Sequence, residues 1–393
     1  MKKPLSNILF IDDQPDQLRL FAKNLGTSVV VKICSPEAVT VNDLANADLV
    51  LVDYQITHWP ERGLQFDDSD QLLTDVRAIG ISRQPADGLA LTAVLRSHLG
   101  HFHSLSKGPT AFALHSAHLA DLAGNLPAQR APQIIARANN IEWAFEKAPA
   151  GIDLSRKIIS LADGIRDIGN ITKNLTKAKD KDVPCLVHIL GIKVRLPWFK
   201  AAWKDVINCH PPIHQATTSP ETLLYARWIL TRILPYPCFL YDTKYLAARL
   251  RIDIAHLTED IENGGPISRV FKEALYSGVL SGFFGPRWWR AGVDQIIWDL
   301  TKDSETPAVR LMSKIFGKRK SIELSPIKNP VICLDSELKQ HEYFSDLEKC
   351  VRIQPDDWPS YADGAWALIE EVRNSPELNA LVYIVDQERV GAQ

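Results

Sequence analysis

Two short apolar runs, each ending in aspartate, constrain what this chain can fold into more than any other feature. Ile8-Leu9-Phe10-Ile11 runs into Asp12-Asp13, and Leu49-Val50-Leu51-Val52 runs into Asp53. A continuous run of four apolar residues is the mark of a strand buried on both faces, as a parallel sheet requires. Between the two lie a helical pattern over Pro15–Leu25, with Leu18, Phe21 and Leu25 on one face and Gly26 as its stop, a second strand at Val29–Ile33 and a second helix at Pro36–Ala45. The order is βαβαβ, with acids at two strand C-termini. In open α/β sheets ligands bind outside the carboxyl ends of the strands, so Asp12, Asp13 and Asp53 are predicted to converge. Three carboxylates in one crevice repel one another and favour a hard divalent cation such as Mg²⁺. The cation also offsets the charge of an incoming phosphoryl group.

The pattern continues downstream. Pro85–Leu91 with Val94-Leu95-Arg96 reads as a loop and third helix, Ala111-Phe112-Ala113-Leu114 as a fourth strand, and Ile141–Phe145 as a fifth. Ser116 follows the fourth strand and Lys147 the fifth. Taken together, the segment over about residues 6–165 resembles the receiver domain of bacterial two-component response regulators, the CheY-like, flavodoxin-like doubly wound fold. The resemblance implies that Asp53 is the nucleophile that takes a phosphoryl group from a histidine kinase or small phosphodonor. It implies that Asp12, Asp13 and Asp53 hold Mg²⁺ with the backbone carbonyl of Gln55, and that Ser116 and Lys147 contact the phosphoryl oxygens. Each residue type suits its role: a carboxylate can form an acyl phosphate, an ammonium is a compact charge for a phosphate oxygen, and a hydroxyl can change partners. A phosphatase of the haloacid dehalogenase type also uses a strand-end Asp, but it needs a second acid two residues after the first, and position 14 is Gln.

The chain departs from the receiver pattern in several places. Asp53 and Ser116 are 63 positions apart, roughly twice the family's usual gap. The excess near 54–84 contains Asp67-Asp68-Ser69-Asp70 and a helix-like Gln71–Ile79. Long insertions at a surface loop cost little stability and often carry function. Lys147 is followed by Ala148, with the proline one later at Pro149. Ala144 stands where the family has an aromatic, flanked by Trp143 and Phe145. His98, His101, His103, His115 and His118 cluster here, and are read as a polar helix end and loop rather than as a metal site.

Asp153–Ile168 has helical spacing and reads as the last receiver helix, followed by a charged connector at Lys173–Asp182. Residues 183–330 are expected to be mainly helical. Their tryptophans, among them Trp198, Trp203, Trp228, Trp288, Trp289 and Trp298, are expected to pack cores. Asp242–Asp253 followed by Ile254–Glu262 resembles a helix-turn-helix, and Gly278–Arg290 is expected to form a hairpin, giving a winged-helix-like middle domain. The second helix offers His256, Glu259, Asp260 and Glu262, few of the groups that read DNA. Residues 331–393 read as a small α/β tail, with strands at Val331–Leu334 and Ala380–Val385 and a helix at Tyr361–Arg373. The expected domains are therefore 1–168, 183–330 and 331–393.

Formal net charge is −2, which excludes a generic polyanion binder, but the charge is uneven. Residues 151–330 carry 27 Lys/Arg against 18 Asp/Glu, and residues 331–393 carry 5 against 13. The six cysteines form no CxxC pair, which argues against a zinc ribbon or disulfide framework and suits a reducing cytoplasm. There is no long apolar run for a signal or a membrane span. The expectation is a cytoplasmic phosphoacceptor, at most an autophosphatase rather than an enzyme. It would signal by protein contact through its C-terminal part, and homodimers are open to it. One alternative is a DNA-binding regulator acting through residues 242–262. Another is a pseudo-receiver scaffold in a multi-protein stress or defence system.

Overall fold

The computed structural model describes residues 4–56, 87–101, 108–147, 152–175, 182–213, 222–302, 307–317 and 324–391. The expected insertion near 54–84 lies almost wholly outside them, as do His103, Ala148 and Pro149. The chain forms two compact units. One comprises residues 1–190, 212–231 and 278–283; the other comprises 191–211, 232–277 and 284–393.

The first unit is built on five parallel strands: β1 (Ser6–Ile11), β2 (Val29–Cys34), β3 (Leu49–Val52), β4 (Ala111–Ser116) and β5 (Trp143–Glu146). Their order is β2-β1-β3-β4-β5, the flavodoxin-like arrangement. β1, β3 and β4 are buried almost throughout, which explains their unbroken apolar runs. Leu9, Ile11, Val50, Val52, Phe112, Leu114 and Ala144 form one core with Leu44 of α2 (Val41–Asn46), Leu91 and Leu95 of α3 (Gly88–His101), Leu119 of α4 (Leu119–Ala123) and Ile135 of α5 (Ala131–Ala138). α6 (Ile152–Leu175) packs on β1 and β3 and buries Ile158, Leu161, Ile165 and Ile168. It runs seven residues beyond the expected end at Ile168. Short helices α1 (Arg19–Asn24), α7 (Asp182–Ile189) and α9 (Leu223–Trp228) complete the unit.

The expected helix at Pro36–Ala45 is broken. Pro36–Ala38 is a 3₁₀ turn, Val39 and Thr40 are extended, and α2 starts afresh behind a capping box. The Thr40 side chain accepts from the Asp43 amide, and the Asp43 carboxylate accepts from the Thr40 amide.

The second unit is mainly helical: α8 (Phe199–Asn208), α10 (Thr243–Leu250), α11 (Ile254–Glu262), α12 (Pro266–Val270), α13 (Arg290–Thr301) and α14 (Pro307–Phe316). The helix pair foreseen at 242–262 is present. Asp242 caps α10, Asp253 caps α11, and Arg251 turns the chain between them in the left-handed region, with φ +57°. Leu246, Leu250, Leu257, Ile267, Phe271 and Val293 share its core. The expected hairpin at Gly278–Arg290 does not form as a regular ribbon. β7 (Trp288–Trp289) takes its partner from far upstream, β6 (Leu240–Tyr241), and only a single bridge joins Leu275 to Trp288. The two indoles gain more by burial against this unit than by flanking an exposed wing. Trp289 stacks on Phe239 at 5.3 Å and lies 6.1 Å from Trp198. Trp198 and Trp288 are buried too, while Trp298 is half exposed, at 51%.

The acidic C-terminal stretch adds β8 (Pro330–Val331) paired with β9 (Ser345–Asp346), and β10 (Cys350–Ile353) paired antiparallel with β11 (Ala365–Leu368). Helices α15 (Ile369–Asn374), α16 (Pro376–Ala380) and α17 (Gln387–Gly391) follow. Two expectations fail here. Tyr361–Arg373 is not one helix, because Ala365–Leu368 is a strand; a short apolar run has no periodicity that separates strand from helix. Ala380–Val385 is not a strand: Ser375 caps a helix through Ala380, and only Val382 bridges to Ile353.

Candidate functional site

Sheet register assembles the site. Ile11 of β1 lies opposite Val52 of β3, so the next residues, Asp12 and Asp53, emerge side by side at the same edge. Backbone bonds continue the ladder past the strand ends: the Asp53 amide donates to the Ile11 carbonyl at 2.9 Å, and the Asp12 amide to the Cys34 carbonyl at 3.2 Å. Val52 pairs with Leu114, and Ser116 with Glu146, which brings Ser116 and Lys147 to the same end. The Lys147 amide donates to the Ser116 carbonyl at 2.8 Å.

Asp12 and Asp53 are buried and Asp13 is half-buried. One carboxylate oxygen from each lies within 4.8 Å of the others, the single such group of potential metal ligands among the described residues. The ammonium of Lys147 is 2.8 Å from Asp12 and 2.9 Å from Asp53. Asp12 also accepts from the amide of Gln14 at 2.8 Å. Three carboxylate oxygens this close together form an all-oxygen donor set of the kind that fits a hard divalent cation.

Burial raises the pKa of Asp53 above the ordinary carboxylate value. Lys147 opposes that shift and the two neighbouring aspartates add to it. At Lys147 burial acts downward but loses to the hydrogen bond with Asp12 and the charge of Asp53, so its pKa is raised. The two shifts do not mirror each other because Asp53 faces two like charges and Lys147 faces two opposite ones.

Ser116 is fully buried, and its hydroxyl accepts from the His118 amide at 3.0 Å. Gln55 is exposed two residues beyond Asp53. Of the histidines in this part, His115 is buried against Phe10 and Phe21, whereas His118 pairs with Asp121 at 3.0 Å. Burial, then the nearby Lys147, lowers the pKa of His115 to about 3, so this ring is neutral. Ala144 belongs to the helix-covered core, and its neighbours Trp143 and Phe145 both pack against Phe283.

Gly88 falls in the segment read as the loop and third helix, yet it sits directly on the site. Its amide donates to the Tyr54 carbonyl at 2.8 Å, and a Cβ there would lie 1.8 Å from the Asp53 carbonyl oxygen. The first turn of α3 therefore presses on the backbone that carries Asp53, a closeness only glycine allows. No family model and no curated protein matches this chain.

Proposed function

We propose that the first unit is a receiver-type phosphoacceptor. Asp53 takes a phosphoryl group from a histidine kinase or a small acyl phosphate, and the second unit carries the output. The observation that supports this most is the convergence of Asp12, Asp13 and Asp53 at the C-terminal edge of a 2-1-3-4-5 parallel sheet, with Lys147 bonded to two of them. In this reading a carboxylate oxygen of Asp53 attacks phosphorus, the bond from phosphorus to the donor breaks, and the donor leaves with that electron pair. The product is a mixed anhydride on Asp53. Mg²⁺ held by Asp12, Asp13, Asp53 and the Gln55 carbonyl would neutralise charge on the phosphoryl oxygens. Lys147 is poised to exchange a carboxylate partner for a phosphoryl oxygen, and Ser116 to turn its hydroxyl from the His118 amide to the new group.

Output by protein contact is favoured over DNA binding by the face of α11. Glu259 and Glu262 are exposed there, while Asp260 is turned inward to accept from the amides of Ile267 and Ser268. A helix that shows carboxylates to solvent is a poor reader of a polyanion. Among the described residues no helix is long and apolar enough to cross a membrane.

The test is acetyl phosphate with Mg²⁺, followed by intact-mass measurement. Gain of one phosphoryl group by the wild type and none by Asp53→Asn is expected. Equal labelling of both, or none of either with acetyl phosphate and with a panel of histidine kinases, overturns the proposal and leaves the pseudo-receiver reading. Binding to mixed-sequence DNA at low salt that weakens steeply as salt rises would restore the DNA-binding alternative.

A further inference from the structure

The second unit contains a cleft of about 530 Å³ that the phosphoacceptor reading does not use. It lies between the end of α10, the segment around Lys328 leading into β8, and the turn before β11. Its size falls in the range of small-ligand sites, roughly 300–1,000 Å³.

The charges in this cleft are not balanced among themselves. Arg249 is held by Asp294 at 2.9 Å, and Asp363 by Arg290 at 2.8 Å. Among the described residues no carboxylate pairs with Arg251 or Lys328. The Nε of Arg251 is buried and meets no hydrogen-bond acceptor. A buried guanidinium N–H without an acceptor costs free energy, and the charge of Arg251 has no carboxylate to offset it among the described residues.

Arg251 is also placed unusually. It closes α10 with φ +57°, a conformation in which glycine or asparagine is relaxed and arginine is strained. Its backbone is pinned on both sides: its amide donates to the Ala248 carbonyl at 3.1 Å, and its carbonyl accepts from the Ser325 amide at 2.8 Å. The side chain is thus presented from a fixed point at the cleft wall. The rest of the lining supplies a second kind of chemistry. Tyr241, Tyr245 and Trp366 offer aromatic surface, and the Asp363 carboxylate, anchored by Arg290, offers an acceptor for hydroxyl or amino groups.

We propose that this cleft binds a mononucleotide, with its phosphate on Arg251 and Lys328 and its base against the aromatic side chains. The guanidinium fork matches a phosphate edge, and aromatic faces accept a base of any sequence. Inorganic phosphate would leave the aromatic lining unused.

The experiment is isothermal titration of the full chain with AMP and GMP. EDTA is included so that cation-carried nucleotide at the Asp12–Asp13–Asp53 cluster is not counted. Saturable binding is expected, weakened about tenfold or more in both Arg251→Asn and Lys328→Glu. Asparagine suits the left-handed cap and Lys328 is exposed, so both variants are expected to melt like the wild type. The proposal is overturned if neither nucleotide binds, if both variants bind as the wild type does, or if inorganic phosphate competes as tightly as AMP. Binding of a thymidine oligonucleotide with no response to AMP or GMP also overturns it and would mark a strand-binding face instead.

Discussion

At the scale of single residues, Asp53 is asked to be a buried anion beside two other carboxylates, paired with Lys147 at 2.9 Å. Its pKa is raised in the folded state, so folding binds its proton more tightly than the open chain does. By linkage, its contribution to stability falls as pH rises past the ordinary carboxylate value, and at neutral pH ionised Asp53 is a cost. Asp53→Asn is therefore expected to raise the thermal midpoint at pH 7, with a gain on the order of 1 kcal/mol. A lowered midpoint would mean that the pair with Lys147 outweighs the repulsion from Asp12 and Asp13. Lys147 has a linkage of the same sign in a higher pH window. Its raised pKa means that its stabilising charge is present below the ordinary lysine value and is lost only as pH climbs through the higher folded value. For the proposed Mg²⁺ site, the same shift at Asp53 sets how binding depends on pH. Carboxylates must be ionised to hold a cation, so binding is expected to fail on acidification at a pH above the ordinary carboxylate range of ~4. Mg²⁺ titration between neutral and acid pH reads this directly, and retention of full affinity down to about 4 would contradict it.

At the scale of elements, the first unit is tied together at the N-terminal end of β5. Glu142 is fully buried, accepts from the Phe112 amide at 2.6 Å, and receives Nε and a terminal nitrogen of Arg227 at 2.8 and 2.6 Å. Arg227 also reaches the side chain and carbonyl of Asn140. This clamp fixes α9 to the sheet from 85 residues away in sequence. Removing Arg227 leaves the buried carboxylate with the Phe112 amide as its one donor among the described residues, so Arg227→Ala is expected to cost about 3 kcal/mol, read from chemical denaturation. A loss below about 1 kcal/mol would show that Glu142 is hydrated or protonated in the variant. Elements whose signal is local were legible in the sequence. β1 and β3 announce themselves by apolar runs, and the helix-turn-helix pattern over 242–262 marks α10 and α11. Elements decided by partners were not. Trp288-Trp289 became a strand because Leu240-Tyr241 lies beside it, and Ala365–Leu368 because Cys350–Ile353 does.

At the scale of the molecule, all six cysteines are buried and none is in a disulfide. Burial pushes the Cys34 thiol up to about 12, which suppresses its thiolate. Reaction with a thiol reagent is expected to be slow in the native protein and to reach six equivalents once the chain is unfolded. Rapid native reaction of one or more thiols would show that a core opens locally. By itself the sequence determined the strand-helix alternation, the acids at the ends of β1 and β3, and the helix pair at 242–262, because these depend on neighbours a few residues away. Only the tertiary structure decided that Lys147 reaches Asp12 across 135 positions, that Gly88 presses on Asp53, and that Arg251 stands at the wall of a cleft. Those outcomes depend on sheet register and on which distant segments share a core, and no local pattern encodes either.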